Sequence, residues 1–122
     1  MRTLMSDEIK RFTKEDDGKP VVMLNLLRFQ PDGGRERYSK YIALSGPLVA
    51  RYGGEVVYVG DGLPAIAAED GQAWDAVALV RYPSRKAFTD MIEDPDYIQK
   101  AGPVRESSLI EAVLQPLRTV IV

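Results

Sequence analysis

Val21-Val22-Met23-Leu24-Asn25-Leu26-Leu27-Arg28-Phe29 is the stretch whose reading decides the fold. It is a nearly continuous apolar run, interrupted only by Asn25 and Arg28. A second run, Ala76-Val77-Ala78-Leu79-Val80-Arg81-Tyr82, resembles it. Leu26-Leu27-Arg28-Phe29 aligns with Leu79-Val80-Arg81-Tyr82, an offset of 53 residues from Arg28 to Arg81. Each run is soon followed by a proline, Pro31 or Pro83, and then by a helical pattern. The chain therefore reads as two copies of one strand–helix–strand unit.

Side chains alternate across a strand. Val22, Leu24, Leu26 and Arg28 thus share one face of the first strand, and Met23, Asn25, Leu27 and Phe29 the other. Both faces are largely apolar, so both need cover. Working outward, 6–14 reads as a short peripheral helix with Ser6 as N-cap and Asp7 and Glu8 in its first turn. Residues 35–52 form a long helix, with Tyr38, Tyr41, Ile42, Ser45, Leu48, Val49 and Tyr52 on one stripe. Pro47 is expected to kink that helix or to start a second segment. Gly53-Gly54 closes it, one glycine taking the left-handed conformation. Residues 55–59 and 74–82 are strands, and a helix capped by Ser84 follows. A further helical piece is predicted over 104–112, and a strand-like tail over 113–122. Pro116 has no N–H to donate and sends that tail to a sheet edge.

The expected architecture is α+β, one ferredoxin-like domain over 1–122, with 1–20 a peripheral helix and loop. Its antiparallel sheet carries the main helices on one face. The other face remains apolar and open, which marks an interaction surface. A second copy packing sheet to sheet, in a twofold homodimer, is the expected partner.

Composition removes several function classes. Apolar and charged fractions of 45% and 28% in 122 residues belong to an ordinary globular domain. The net charge is −2 and the basic residues are scattered, so no nucleic-acid surface is expected. There is no cysteine, hence no disulfide, thiolate metal site or cysteine nucleophile. There is also no histidine, which removes imidazole-ligated haem or zinc and a Ser-His-Asp triad. No cofactor and no metal are expected. The start, MRTLMSDEIKRF, is too charged for a signal peptide, and no run reaches a membrane span; a cytoplasmic location is expected. The glycine pairs match neither the Rossmann fingerprint nor a P-loop.

No catalytic residue can be named from sequence, but six side chains are candidates for ligand binding. Asn25 lies mid-strand, where a polar group needs a partner; that partner is either a ligand or neighbouring backbone. Arg28 and Arg81 hold equivalent positions in the two halves. They can bind an anion bidentately or pair with acidic residues at strand ends. Trp74, the one tryptophan, can stack on a planar molecule or fill a rim. Tyr97 and Arg105 flank a turn that can lie over a pocket mouth. Tyr38, Tyr41 and Tyr52 have the spacing of core residues.

Several of these pieces recur together in a known family. Met23-Leu24-Asn25-Leu26-Leu27-Arg28-Phe29, Arg51-Tyr52-Gly53-Gly54, Trp74-Asp75, Val80-Arg81-Tyr82-Pro83-Ser84, Asp94-Pro95-Asp96-Tyr97-Ile98-Gln99 and Arg105 stand in the order and spacing of that family. The chain resembles the domain-of-unknown-function family number thirteen-thirty, within the dimeric α+β-barrel superfamily. The resemblance implies a ferredoxin-like protomer and a homodimer whose sheets face each other around a cavity. The wider superfamily includes cofactor-free monooxygenases, muconolactone isomerases, haem enzymes and ligand-sensing domains. Relatives in this subgroup tend to show a histidine just before the arginine matching Arg105; here that position is Val104, so it supplies no base. The leading expectation is a homodimer binding a small organic molecule between sheet and helices. If it is an enzyme, its chemistry is cofactor-free, on a small phenol, lactone or organic acid. The rival is a non-catalytic structural or ligand-sensing dimer module.

Overall fold

The computed structural model describes residues 7–121 of the chain. Its elements run α1 (Asp7–Lys14), β1 (Val21–Phe29), α2 (Gly34–Arg51), β2 (Glu55–Asp61), β3 (Ala76–Tyr82) and α3 (Arg85–Glu93). A π-helical turn (Tyr97–Ala101), α4 (Gly102–Ser108) and β4 (Leu109–Leu117) complete the chain. Ser6, expected to cap α1, lies outside the described residues. The sheet has the order β2-β3-β1-β4, with every neighbouring pair antiparallel. This is the ferredoxin-like arrangement, α+β, with the helices packed on one face. Among the described residues no helix is long and apolar enough to cross a membrane.

The alternation of β1 decides the layers. Val21, Met23, Asn25 and Leu27 are buried beneath the helices, and Val22, Leu24, Leu26 and Arg28 stand half-buried on the other face. Met23 joins Leu48, Val49, Tyr82, Phe88 and Met91 in the main core, while Leu27 packs with Tyr38, Ala76 and Leu109 in a smaller one. On the open face Val22, Leu24, Leu26, Val77, Leu79 and Val113 form an apolar surface that, among the described residues, no helix covers. Edge strand β2 exposes Val56, Val57, Tyr58 and Val59.

The repeat is visible in the pairing. Asn25 lies opposite Ala78, so the two equivalent positions face each other at the centre of the sheet. Arg28 and Arg81 each lie three residues beyond that pair, on antiparallel strands. They are therefore carried to opposite ends, roughly 20 Å apart at about 3.3–3.4 Å per residue.

Three local expectations are revised. Pro47 starts no second segment, since α2 is a single helix of 18 residues that runs through it. Both Pro47 and Ala43, whose carbonyl loses its helical partner, are exposed, so water can satisfy that carbonyl. The helix expected over 104–112 stops at Ser108, and Leu109 opens β4 instead. Residues from Leu109 onward pair with the free edge of β1, starting at Phe29, and this long-range ladder overrides the local helical pattern. The third strand begins at Ala76 rather than Trp74. The glycine stops behave as expected: Gly53 has φ 78° at the end of α2. Gly34 is needed for a different reason, since a Cβ there would collide with the Ser108 carbonyl oxygen. Ser84 caps α3, its hydroxyl accepting from the Ala87 N–H at 3.1 Å.

Candidate functional site

A cavity of about 80 Å³ lies between the helix face of the sheet and helices α2, α3 and α4. That is several times the ~10–15 Å³ that one water needs. Its apolar wall includes Ile42, Val49, Val59, Phe88 and Met91. Its polar wall is made by Asn25, Tyr38, Tyr41, Tyr82, Tyr97 and Arg105. Val56 and Val59 of β2 also line it and are exposed, so the mouth lies between α2 and β2.

Each polar side chain is delivered by a different piece of the fold. Asn25, 8% exposed, projects from the centre of β1. Its amide nitrogen donates only weakly, to the Met23 carbonyl at 3.4 Å and the Ala78 carbonyl at 3.5 Å. Its amide oxygen accepts from Nη2 of Arg105 at 3.4 Å. Arg105, 4% exposed, descends from α4. Among the described residues no carboxylate pairs with it. Tyr38 and Tyr41 are one turn apart on α2, their rings stacked with centroids 5.2 Å apart. Tyr41 and Tyr97 share a hydrogen bond, hydroxyl to hydroxyl, of 3.0 Å.

Tyr97 owes its position to the π-helical turn, a widened geometry often found at functional sites. Asp94 anchors the start of that turn. Its carboxylate accepts from the Tyr52 hydroxyl at 2.7 Å, from Arg51 Nη1 at 2.8 Å and from the Asp96 N–H at 2.8 Å. The Tyr52 bond, followed by the Asp96 N–H and Arg51, holds the Asp94 carboxyl below the usual carboxylate range.

The electrostatics of the cavity are one-sided. Burial pushes the Tyr38, Tyr82 and Tyr97 hydroxyls well above their ordinary range, neighbouring Tyr41 adds to the shift, and Arg105 opposes it. These three hydroxyls remain protonated near neutral pH. Among the described residues no Asp, Glu or Lys lines the cavity, and no group of three or more carboxylates is gathered to hold a metal ion.

Of the six candidates, the structure brings Asn25, Tyr97 and Arg105 to one cavity. Arg28, Trp74 and Arg81 are elsewhere. Arg28 binds Glu111 through Nε, donates to the carbonyls of Ala73 at 2.6 Å and Gly71 at 3.1 Å, and lies 4.5 Å from the centre of the Trp74 ring. It thereby ties the base of the β2–β3 loop to the sheet. Arg81 pairs with Glu55 at 2.8 Å. Tyr38, Tyr41 and Tyr82 are the residues that sequence reasoning assigned to the core or left unassigned. The available signal was chemical: a buried tyrosine hydroxyl seeks a partner, and two tyrosines one turn apart present two of them to the same space. A wider depression of about 510 Å³ between residues 17–21, Arg85 and 116–119 contains none of the candidates.

Residues 33–114 match the model of a family described as a domain of unknown function, DUF1330. The chain belongs to the DUF1330 family. A solved protein of unknown function from Rhodopseudomonas palustris is 32% identical, with 96% of this chain and 95% of that chain aligned and a TM-score of 0.85. A dimeric ferredoxin-like protein of unknown function from Jannaschia sp. aligns over 82% of this chain and 99% of its own, at 14% identity and a TM-score of 0.63. The hydroxynitrile lyase of Passiflora edulis aligns over 82% of this chain and 93% of its own, at 14% identity and a TM-score of 0.62. The last two likenesses are of fold. Curated proteins gave no match.

Proposed function

We propose that this protein is a homodimer that binds one small organic molecule per protomer in the cavity between sheet and helices. The observation that carries the reading is the meeting of Arg105 and Asn25, both buried, on the wall of a cavity where no carboxylate neutralises the guanidinium. A buried charge without its counterpart is costly to the fold, and a ligand that supplies the counterpart offsets that cost. In this reading Asn25 orients the ligand, Tyr97 and Tyr41 offer hydroxyls, and Arg105 meets its electron-rich end. If the molecule is turned over, the chemistry is cofactor-free, on a small phenol, lactone or organic acid. The hydroxynitrile lyase neighbour supports the idea that this fold can carry an enzyme.

The dimer is argued from the uncovered face. A specific interface there would bury on the order of 1,600 Å² in total, and the Jannaschia neighbour is described as dimeric. A chain without cysteine suits the reducing cytoplasm.

The test is a ¹H–¹⁵N titration of the purified protein with phenol, γ-butyrolactone and sodium isobutyrate in turn. At least one is expected to move the Asn25 side-chain amide and the Arg105 Nε–H signals together. If none perturbs either signal at concentrations approaching solubility, the binding reading is wrong.

A further inference from the structure

We infer that the cavity is a receptor for a small monocarboxylate anion, held by hydrogen-bond donors in a wall that contains no base. The inference rests on the binding reading above and narrows it to one class of ligand. The donor inventory is the first reason. Arg105 carries five N–H groups and no acceptor, and the partners it finds are neutral, the Asn25 amide oxygen at 3.4 Å and the Tyr38 hydroxyl. In the Tyr41–Tyr97 pair one hydroxyl donates to the other, so the second proton is free for a ligand. The Asn25 amide oxygen is already engaged by the guanidinium. A carboxylate brings about four lone-pair sites and matches a guanidinium bidentately. A lactone carbonyl or a neutral phenol brings fewer acceptors and no charge, and leaves the buried cation uncompensated.

The apolar side gives the second reason. Ile42, Val49, Phe88 and Met91 give the cavity an apolar lining beside the donors. They suit a short aliphatic or branched body, and one cation suits one negative charge. A phosphate dianion would find no second cation in the lining to meet its second charge.

The wall also restricts the chemistry open to a bound ligand. Its titratable groups are Arg105 and four tyrosines, and the chain has no histidine. Burial keeps the Tyr38, Tyr82 and Tyr97 hydroxyls protonated. The ligand is therefore received already ionised and stays so, and no carboxylate, amine or imidazole stands ready to remove a proton from its carbon skeleton.

Calorimetric titration with sodium isobutyrate and with isobutyramide, its neutral isostere, tests this. The acid should bind at least ~10-fold more tightly than the amide, as hydrogen bonds to a charged partner require. In Arg105→Gln the two affinities should converge to within a few fold, with the fold checked by the ¹H–¹⁵N spectrum. Arg105→Lys keeps the charge without the fork and should retain a weaker preference for the acid, which serves if the glutamine variant does not fold. Equal or tighter binding of isobutyramide overturns the carboxylate inference and leaves the cavity reading standing. An acid preference unchanged in either Arg105 variant places the anion elsewhere and also overturns it. Binding of neither compound counts against both.

Discussion

The two faces of this sheet treat the same residue type in opposite ways. On the open face Arg28 and Arg81, symmetric in the internal repeat, are each matched by a carboxylate, Glu111 and Glu55. On the helix face Arg105, outside the repeat, is nearly fully buried and is met by an amide and by tyrosines instead. The first two arginines are already used by the fold: Arg28 ties down a loop and Arg81 braces an edge strand. The third finds neutral partners beside a cavity. A buried arginine whose charge the fold leaves without a carboxylate is a candidate to meet an anion, and one already paired is not.

If the open apolar face meets a second copy, Leu24→Asp places two unpaired carboxylates in the dimer interface, at about 3–5 kcal/mol for such a burial. The variant is expected to remain folded and to sediment as a monomer at concentrations where the parent is a dimer. A persistent dimer would show that this face is not the interface.

The next contrast concerns stability without ligand. Replacing Asn25 and Arg105 together by Leu and Met removes a buried, incompletely matched polar pair. It should raise unfolding free energy in urea by ~1–3 kcal/mol, whereas Arg81→Met should change it by less than ~1 kcal/mol. A double variant markedly less stable than the parent would make Asn25 and Arg105 framework residues like Arg28.

The smallest effect concerns the anchor that sets Tyr97. The Asp94 carboxyl titrates below its usual value of 3.8 in the folded protein. Its ionised form therefore contributes stability that is present above that value and fades as pH falls through the folded pKa. Asp94→Asn should be less stable than the parent at pH 7, and the gap should close in acid below about pH 4. Urea midpoints across that range measure it, and a gap independent of pH would remove the carboxylate's charge from the account.

Much of the architecture was legible in the chain. Alternation along β1 assigned Asn25 and Arg28 to opposite faces, and the repeat between β1 and β3 pointed to the ferredoxin-like order. Gly53 and Ser84 announced the ends of their helices. The end of α4 was not legible, because pairing with β1, about 80 residues away, decides whether Leu109 is helical or extended. The same distance hid the site. Asn25 and Arg105 could each be suspected, one for its polarity in a strand and the other for its place beside a turn. Neither reveals in sequence that the other is its neighbour.

By itself, then, the sequence determined what depends on neighbouring residues: periods of two and of 3.6, stop signals, an open apolar face, and the absence of histidine and cysteine. The tertiary structure decided what depends on distance in space. It matched Arg28 to a carboxylate 83 residues away and Arg81 to one 26 residues away, and it left Arg105 facing a cavity. Backbone periodicity is a local property, whereas electrostatic compensation is set by whichever charges the fold brings within a few ångströms. That is why three arginines indistinguishable as letters came to differ in what they can do.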